Sequence, residues 1–217
     1  DGSDSVSQAI DAATAAGMTC FISAGNSATD AAHYSTTVAP LTTSSSFGYQ
    51  LNSGEVTNGT NLFLRVIWRD GNPGDANVNL ACTNLSGGES LNLSAIENSP
   101  RGTDAKYYRL KTNQTTGATK TYDFTLTNTA PSGATPKVHV YAEDSGAKFT
   151  SPDPTGTVLA PALADSAIAV AAWTSRKDWT NYLGGSWQFP DLTVDTLAPF
   201  SSLGPRIDGV RKPDVAA

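Results

Sequence analysis

The sequence carries little charge for its length and lacks the basic clusters that bind nucleic acids. Only 16% of its 217 residues are charged, and acidic residues outnumber basic ones by 20 to 14. The formal net charge of -6 and the isoelectric point near 4.7 leave no excess of positive charge. Nucleic-acid recognition needs clustered lysine and arginine. The composition therefore argues against a nucleic-acid partner.

Cysteines and long apolar runs are also scarce. No stretch approaches the roughly 18 apolar residues of a membrane span, so we expect no span, and no signal segment opens the chain. The two cysteines, Cys20 and Cys82, define neither a disulfide framework nor a zinc site, and we expect free thiols. The chain begins at Asp1 without an initiator methionine and ends at Ala217, and we interpret it as an internal fragment.

The remaining composition is rich in Ser, Thr, Asn and Gly, with 19 glycines and 12 prolines, and its 39% hydrophobic content suffices for a core. Such a mixture is typical of loop-rich extracellular β proteins. We therefore expect the protein to be secreted, extracellular or part of the cell envelope.

Both ends of the chain show the pattern of an α/β protein. Residues 3–16 have apolar side chains at helical spacing, which predicts an amphipathic helix that ends at Gly17. The short apolar runs at residues 18–22 and 167–172 predict strands buried on both faces, and we expect them to be neighbours in one parallel sheet. The aromatic segment from Trp173 to Trp187 is interpreted as a loop.

The middle of the chain has a different pattern. Runs such as residues 62–68, 122–127 and 137–141 alternate between apolar and polar side chains, and turn-forming clusters separate them. This alternation predicts an antiparallel β-sandwich or jelly roll. The sequence thus predicts one α/β domain, residues 1–34 and 155–217, interrupted by an inserted β domain, residues 35–154.

Three stretches in the outer segments carry a resemblance to a known family. A buried strand runs into SAGN at residues 23–26, a proline turn leads to an apolar strand within residues 160–171, and APFSSLGP at 198–205 is followed by KPDVAA at 212–217. In this order they resemble the subtilisin-like serine proteases (subtilases, peptidase S8). The resemblance covers residues 1–34 and about 155–217, while the middle matches no part of the protease core.

The resemblance implies a partial subtilisin-like parallel-sheet core within a serine endopeptidase that hydrolyses polypeptides through a Ser-His-Asp triad. It implies that Asn26 is the oxyanion-hole residue and that the triad lies outside this chain, so the fragment alone is expected to be inactive and to need no cofactor. It also implies a substrate pocket with a wall and a floor, formed respectively by Ser23, Ala24 and Gly25, and by Thr157, Val158, Leu159 and Ala160.

Two other interpretations remain open. The Ala24-Gly25-Asn26 sequence is also typical of an ordinary turn at the end of a strand. The alternative function is a non-catalytic β-sandwich module that binds protein or carbohydrate on a subtilase-like or pseudoprotease scaffold. An exposed aromatic platform on the inserted domain would favour the binding module.

One acidic segment has the composition of a calcium loop. Asp70, Asn72, Asp75 and Asn77 supply oxygen ligands at short spacing, and Ca²⁺ takes six to eight such oxygens. The spacing departs from the EF-hand pattern, and a solvated turn is the favoured interpretation of the segment. The two histidines, His33 and His139, are expected to be structural.

Overall fold

A computed structural model describes residues 1–51, 60–113, 119–143 and 147–217. Strands account for 38% of the described residues and helix for 5%. The chain divides into two compact units, the first formed by Asp1–Thr29 and Pro154–Ala217 and the second by Asp30–Asp153.

The secondary-structure elements of the described residues follow one another in the order α1 (Ser5–Ala15), β1 (Phe21–Ser23), β2 (His33–Thr37), β3 (Thr42–Thr43), β4 (Phe47–Leu51), β5 (Asn61–Trp68), β6 (Val78–Cys82), β7 (Ser90–Asn98), β8 (Asp104–Lys111), β9 (Lys120–Asn128), β10 (Lys137–Ala142), β11 (Ala147–Phe149), β12 (Ile168–Ala171), β13 (Asp178–Thr180), β14 (Ser186–Gln188) and β15 (Val215–Ala216).

The predicted N-terminal helix is confirmed as α1. It begins after Asp4, whose carboxylate accepts a hydrogen bond from the Ser7 backbone nitrogen at 2.9 Å, which satisfies one of the free N–H groups of the first turn. Its predicted apolar face is wrong, because Val6 is 54% exposed and Ser7 is the buried residue of the helix.

The first unit contains a small parallel sheet in which β12 lies between β1 and β15. Ile22 of β1 is opposite Ala169 of β12, so the predicted pairing of the two apolar runs is confirmed. The prediction that both runs are buried on both faces is wrong. β1 is an edge strand, and Phe21 remains 66% exposed.

The segment interpreted as an aromatic loop instead forms a hairpin. Strands β13 and β14 pair antiparallel, with Trp179 directly opposite Trp187. Both indoles are exposed, at 38% and 55%. Trp179 stacks on Phe189, with ring centroids 5.3 Å apart, and such an aromatic contact helps to stabilise a two-stranded ribbon.

The second unit consists of two antiparallel sheets. One has the strand order β2-β10-β5-β8-β7, and the other has the order β11-β4-β9-β3, with β6 also paired to β9. Alternate side chains of both sheets point into a common core, as in β5 and β9. The fully buried core includes Trp68, Tyr49, Tyr122, Phe124, Leu51, Leu62, Leu64, Leu110 and Leu126.

The two ends of the second unit are joined by hydrogen bonds. The Phe149 nitrogen donates to the Ala31 carbonyl at 2.8 Å, and the Asp153 nitrogen donates to the His33 carbonyl at 2.9 Å. The chain therefore enters and leaves this unit side by side.

The expected α/β fold class is wrong for this chain. An α/β core needs several parallel strands covered by helices, whereas the described residues contain one helix of 11 residues and three short parallel strands. Most strand residues lie in the antiparallel sheets of the second unit. The alternating middle segment, rather than the apolar runs at the ends, therefore determines the fold class.

Candidate functional site

The turn after β1 extends the parallel sheet by one hydrogen bond and then leaves it. The Ala24 nitrogen donates to the Val170 carbonyl of β12 at 2.8 Å, and Ala24 is buried. Asn26 follows two residues later, beyond the carboxyl end of β1. Ligands of parallel sheets commonly bind beyond the carboxyl ends of strands, so this turn is the candidate site.

Gly25 gives the turn its shape. Its φ angle is +107°, a backbone conformation that residues with a Cβ atom rarely adopt. A Cβ atom there would lie 2.9 Å from Ser202 Oγ and 3.0 Å from Leu159 Cδ1. Only glycine fits this backbone between the two neighbouring segments.

Hydrogen bonds hold the turn on both sides. The Leu159 nitrogen donates to the Ala24 carbonyl at 3.0 Å, and the Ser202 nitrogen donates to the Gly25 carbonyl at 2.9 Å. Further along, the Ala28 nitrogen donates to the Phe200 carbonyl at 3.2 Å. The backbone that carries Asn26 is thus fixed to two segments distant in sequence.

Ser202 is the residue of this site that the sequence did not reveal. It is completely buried, and its hydroxyl oxygen accepts a hydrogen bond from the Ser27 nitrogen at 3.0 Å. The residue lies in the 198–205 stretch that carried the family resemblance, but nothing in that stretch indicates a bond to the turn. Its hydroxyl thus provides the acceptor for the N–H group of Ser27, the residue after Asn26.

The Asn26 side chain is exposed. Within residues 1–51, 60–113, 119–143 and 147–217, none of its hydrogen-bonding atoms has a protein partner. An amide on a fixed backbone, with its own donors free, can donate to a carbonyl or anionic oxygen of a ligand. This arrangement can bind or polarise such an oxygen without first breaking an internal bond.

Some of the residues expected to form a substrate pocket are exposed to solvent, and others are buried. Ser23, Leu159 and Ala160 are exposed, and Gly25 is half-buried. Ala24, Thr157 and Val158 are buried, and the Thr157 nitrogen donates to the Leu203 carbonyl at 2.8 Å. The Leu159–Ala24 bond places the two predicted segments side by side, with the exposed members available to a ligand.

The two histidines form a buried pair within the second unit. His33 Nδ1 donates to the Asp153 carbonyl at 2.9 Å, which leaves His33 Nε2 to accept from His139 Nδ1, also at 2.9 Å. Burial, together with neighbouring His33 and Lys137, lowers the pKa of His139 to about 3. Both imidazoles are below 10% exposed, so neither has the solvent access of a catalytic base.

Exposed aromatic side chains are concentrated in the first unit, chiefly on and around the β13–β14 hairpin. Among the described residues of the second unit, Phe63, at 41%, is the one exposed aromatic residue. The aromatic platform expected of a β-sandwich binding module is therefore not found in the described part of that unit.

One acidic group of the described residues has the geometry to hold a metal ion. Oxygens of Asp70, Asp75 and Asp104, all in the second unit, lie within 4.8 Å of one another. The sequence indicated Asp70 and Asp75, but it gave Asn72 and Asn77 as their companions instead of Asp104. The described residues contain no helix long and apolar enough to cross a membrane.

Comparisons with known proteins find a likeness to a solved protease structure. No family model matches the chain, and no curated protein matches it. The whole chain is similar in structure to the CspB protease of Clostridium perfringens, with a TM-score of 0.63 and 16% sequence identity. The chain spans 45% of that protease's length.

These comparisons correct the family assignment. The resemblance to subtilisin-like proteases rested on short motifs, and no family model supports it. The described structure is mostly antiparallel β with one helix, unlike a subtilisin core. At 16% identity the likeness shows a shared fold. The chain therefore has a fold similar to that of part of a protease.

Proposed function

We propose that this chain is part of a serine endopeptidase in which Asn26 donates a hydrogen bond to the oxyanion of the acyl-transfer transition state. The observation that carries the proposal is the exposed Asn26 amide, without an internal partner in the described structure, on a turn fixed by hydrogen bonds on both sides. Similarity to a protease fold supports the reaction class.

The rigidity of the turn is what makes such a donor effective. A donor already aimed at the developing negative charge stabilises the transition state without reorganising during the reaction. The bonds of Ala24 and Gly25 to Leu159 and Ser202 hold this backbone in place. We infer that a polypeptide substrate contacts the exposed residues Ser23, Leu159 and Ala160, while buried Ala24, Thr157 and Val158 support them from behind.

The proposal places the nucleophile and base in parts of the protein outside these 217 residues, so the chain alone is inactive. The two histidines are buried against each other. Ser201 and Ser202 are also buried, and their hydroxyl oxygens accept hydrogen bonds from the backbone nitrogens of Ala172 and Ser27. We further propose that the parent protein acts outside the cell or in the cell envelope.

The test is Asn26→Ala in the full-length protein that contains this chain. We expect kcat to fall by about 10²–10³ with little change in KM, because the amide contacts charge that appears only in the transition state. That magnitude comes from an oxyanion-hole asparagine of another serine protease. A fluorophosphonate probe labels an activated serine, so wild-type protein and the variant should both be labelled, the variant more slowly.

Two controls separate catalysis from folding. Asn92→Ala on β7 removes an exposed amide of the second unit and should leave kcat unchanged. A thermal melt of Asn26→Ala should match that of wild type, since the side chain makes no bond in the described structure. Lower stability with unchanged kcat would show that Asn26 only stabilises the turn. If the probe does not label the wild-type protein, the serine-protease proposal is wrong.

A further inference from the structure

The loop between β5 and β6 brings three carboxylates together. Asp70 and Asp75 lie in this loop, and Asp104 is the first residue of β8. One oxygen from each lies within 4.8 Å of the other two. Three like charges at this spacing repel one another strongly unless protons or a cation neutralise them.

Asp104 differs from the other two carboxylates because one of its oxygens is buried without a hydrogen-bond partner in the described residues. It is fully buried, and its Oδ1 accepts a hydrogen bond from the Gly74 nitrogen at 2.6 Å. The Asn98 amide, with its nitrogen turned toward Asp104, donates to the same oxygen at 2.7 Å. Asp104 Oδ2 is buried and has no hydrogen-bond partner in the described residues. A buried carboxylate oxygen without a partner is costly, and Asp104 Oδ2 is available to a ligand.

The charges around Asp104 point to a cation as that ligand. In the described residues none of the three carboxylates forms an ion pair. The nearby Lys106 ammonium instead donates to the Ala76 carbonyl at 2.7 Å and to Asn79 Oδ1 at 2.6 Å.

Oxygen chemistry and ligand number favour calcium among the common cations. Carboxylates are hard ligands, and Ca²⁺ takes six to eight oxygens in a flexible geometry. Mg²⁺ demands near-octahedral geometry and usually keeps several waters with one or two carboxylates, so three carboxylates suit Ca²⁺ better. The other hydrogen bonds leave room for a metal, because each carboxylate oxygen has a second lone pair beside the bonds from Asn72 to Asp70 and from Asn77 to Asp75.

We propose that Asp70, Asp75 and Asp104 bind a calcium ion that fixes the β5–β6 loop to the start of β8. Asp70 and Asp75 reach solvent and give the ion a path of entry, while Asp104 supplies the buried ligand. Water and backbone carbonyls complete the coordination. The proposal does not depend on protease activity, because every residue involved belongs to the second unit.

The first experiment measures calcium-dependent stability. The protein is stripped with a chelator, and its Tm is followed while CaCl₂ or MgCl₂ is added. We expect the Tm to rise with the logarithm of calcium concentration above the Kd, since a ligand that binds only the folded state stabilises it in that way, and to respond less to magnesium. No response to calcium, or a stronger response to magnesium, would overturn the proposal.

The decisive variant is Asp104→Asn, with Asp191→Asn as the matched control because Asp191 is an exposed aspartate of the first unit. Asp104→Asn should raise the Tm in chelator, since it removes one repelling charge, yet bind calcium at least tenfold more weakly. Asp191→Asn should behave as wild type in both conditions. Equal calcium responses in all three proteins would assign the effect to other sites and refute the proposal.

A terbium experiment reports binding independently of stability. Tb³⁺ occupies calcium sites and luminesces when a nearby tryptophan is excited, and Trp68 is paired with Asp104 across β5 and β8. We expect luminescence that added Ca²⁺ displaces and that Asp104→Asn abolishes. Luminescence retained in Asp104→Asn would come from tryptophans elsewhere and would contradict the assignment.

Discussion

The two units of this chain bury their apolar side chains in opposite ways. The second unit fills the space between its sheets with large side chains such as Trp68, Tyr122 and Leu64, each fully buried. The buried cluster of the first unit consists of Ala24, Val158, Ala162 and Ala169, with the partly buried Ile22 and Leu163 packed against it. Stacked sheets lie about 10 Å apart and need bulky side chains, whereas small residues let backbone segments approach closely.

The same contrast appears at the surface. In the first unit, Met18 is 60% exposed, Phe21 66% and Leu183 76%, so much of its apolar area lies outside its core. The second unit turns its largest side chains inward on alternate positions of each strand. We infer that side-chain burial stabilises the second unit, while backbone hydrogen bonds and polar contacts are relatively more important in the first.

The largest expected effect is a cavity in the second unit. Leu64→Ala removes a fully buried side chain of β5 and should lower the free energy of unfolding by about 2–5 kcal/mol. Hydrogen exchange should show faster opening of β5 and β8. Leu93→Ala is the matched control, since Leu93 on β7 is 48% exposed, and it should have a small effect. Equal losses in the two variants would contradict the contrast.

The first unit should be destabilised by a larger side chain in its core rather than by a smaller one. Ala169 is fully buried in β12 beside Ala24, and Ala169→Leu should destabilise this unit by about 1–3 kcal/mol because the close-packed backbones leave no room. Exchange in β1 and β12 should accelerate. Ala12→Leu on the exposed face of α1 adds the same volume outside the core and should be nearly neutral. An unaffected Ala169→Leu protein would show that this core is loosely packed.

Local patterns in the sequence predicted individual strands well. Alternation marked β5, β9 and β10 because a strand with one buried face places apolar residues at every second position. Apolar runs marked β1 and β12 and their parallel pairing. They did not predict the exposure of Phe21, because an apolar run does not reveal whether another element covers the strand.

Contacts between residues far apart in the chain could not be predicted from the sequence. Ser27 and Ser202 are 175 positions apart, and no local pattern connects them. Asp104 joins Asp70 and Asp75 only because β5 and β8 pair. The candidate turn at Asn26 was found from a motif, whereas the residues that fix it and the third carboxylate of the acidic group required the fold.

A smaller effect is expected from acid on the second unit. The folded pKa of His139 is about 3, below its ordinary 6.5, because of burial and the neighbouring His33 and Lys137, opposed by Asp153. The unfolded chain therefore binds one more proton between these values, and stability falls as the pH decreases. We expect a loss of about 1 kcal/mol between pH 6.5 and 5.5, where most carboxylates remain ionised.

Urea unfolding at several pH values, followed by NMR signals of β2 and β10, measures this loss. His139→Gln removes this titrating group, so its stability should be lower overall and should fall less steeply as the pH decreases in this range. The first unit, which contains no histidine, should change little. A pH slope that persists in His139→Gln would assign the effect to other groups.

The smallest expected effect concerns the N-terminus of α1 in the first unit. Burial would raise the pKa of Asp4, but hydrogen bonds from the Ser7 hydroxyl and nitrogen outweigh it and hold the pKa below its usual value. Asp4→Ala removes this cap and should cost about 1 kcal/mol or less. Asp4→Ser, which keeps a side-chain acceptor, should restore most of the loss. Hydrogen exchange at the Ser7 amide measures both variants, because that nitrogen loses its acceptor only in Asp4→Ala.

Two outcomes would contradict this prediction. If the Ser7 amide exchanges equally fast in both variants, the carboxylate charge rather than the cap stabilises α1. If exchange in β5 and β8 also accelerates, the two units do not unfold independently.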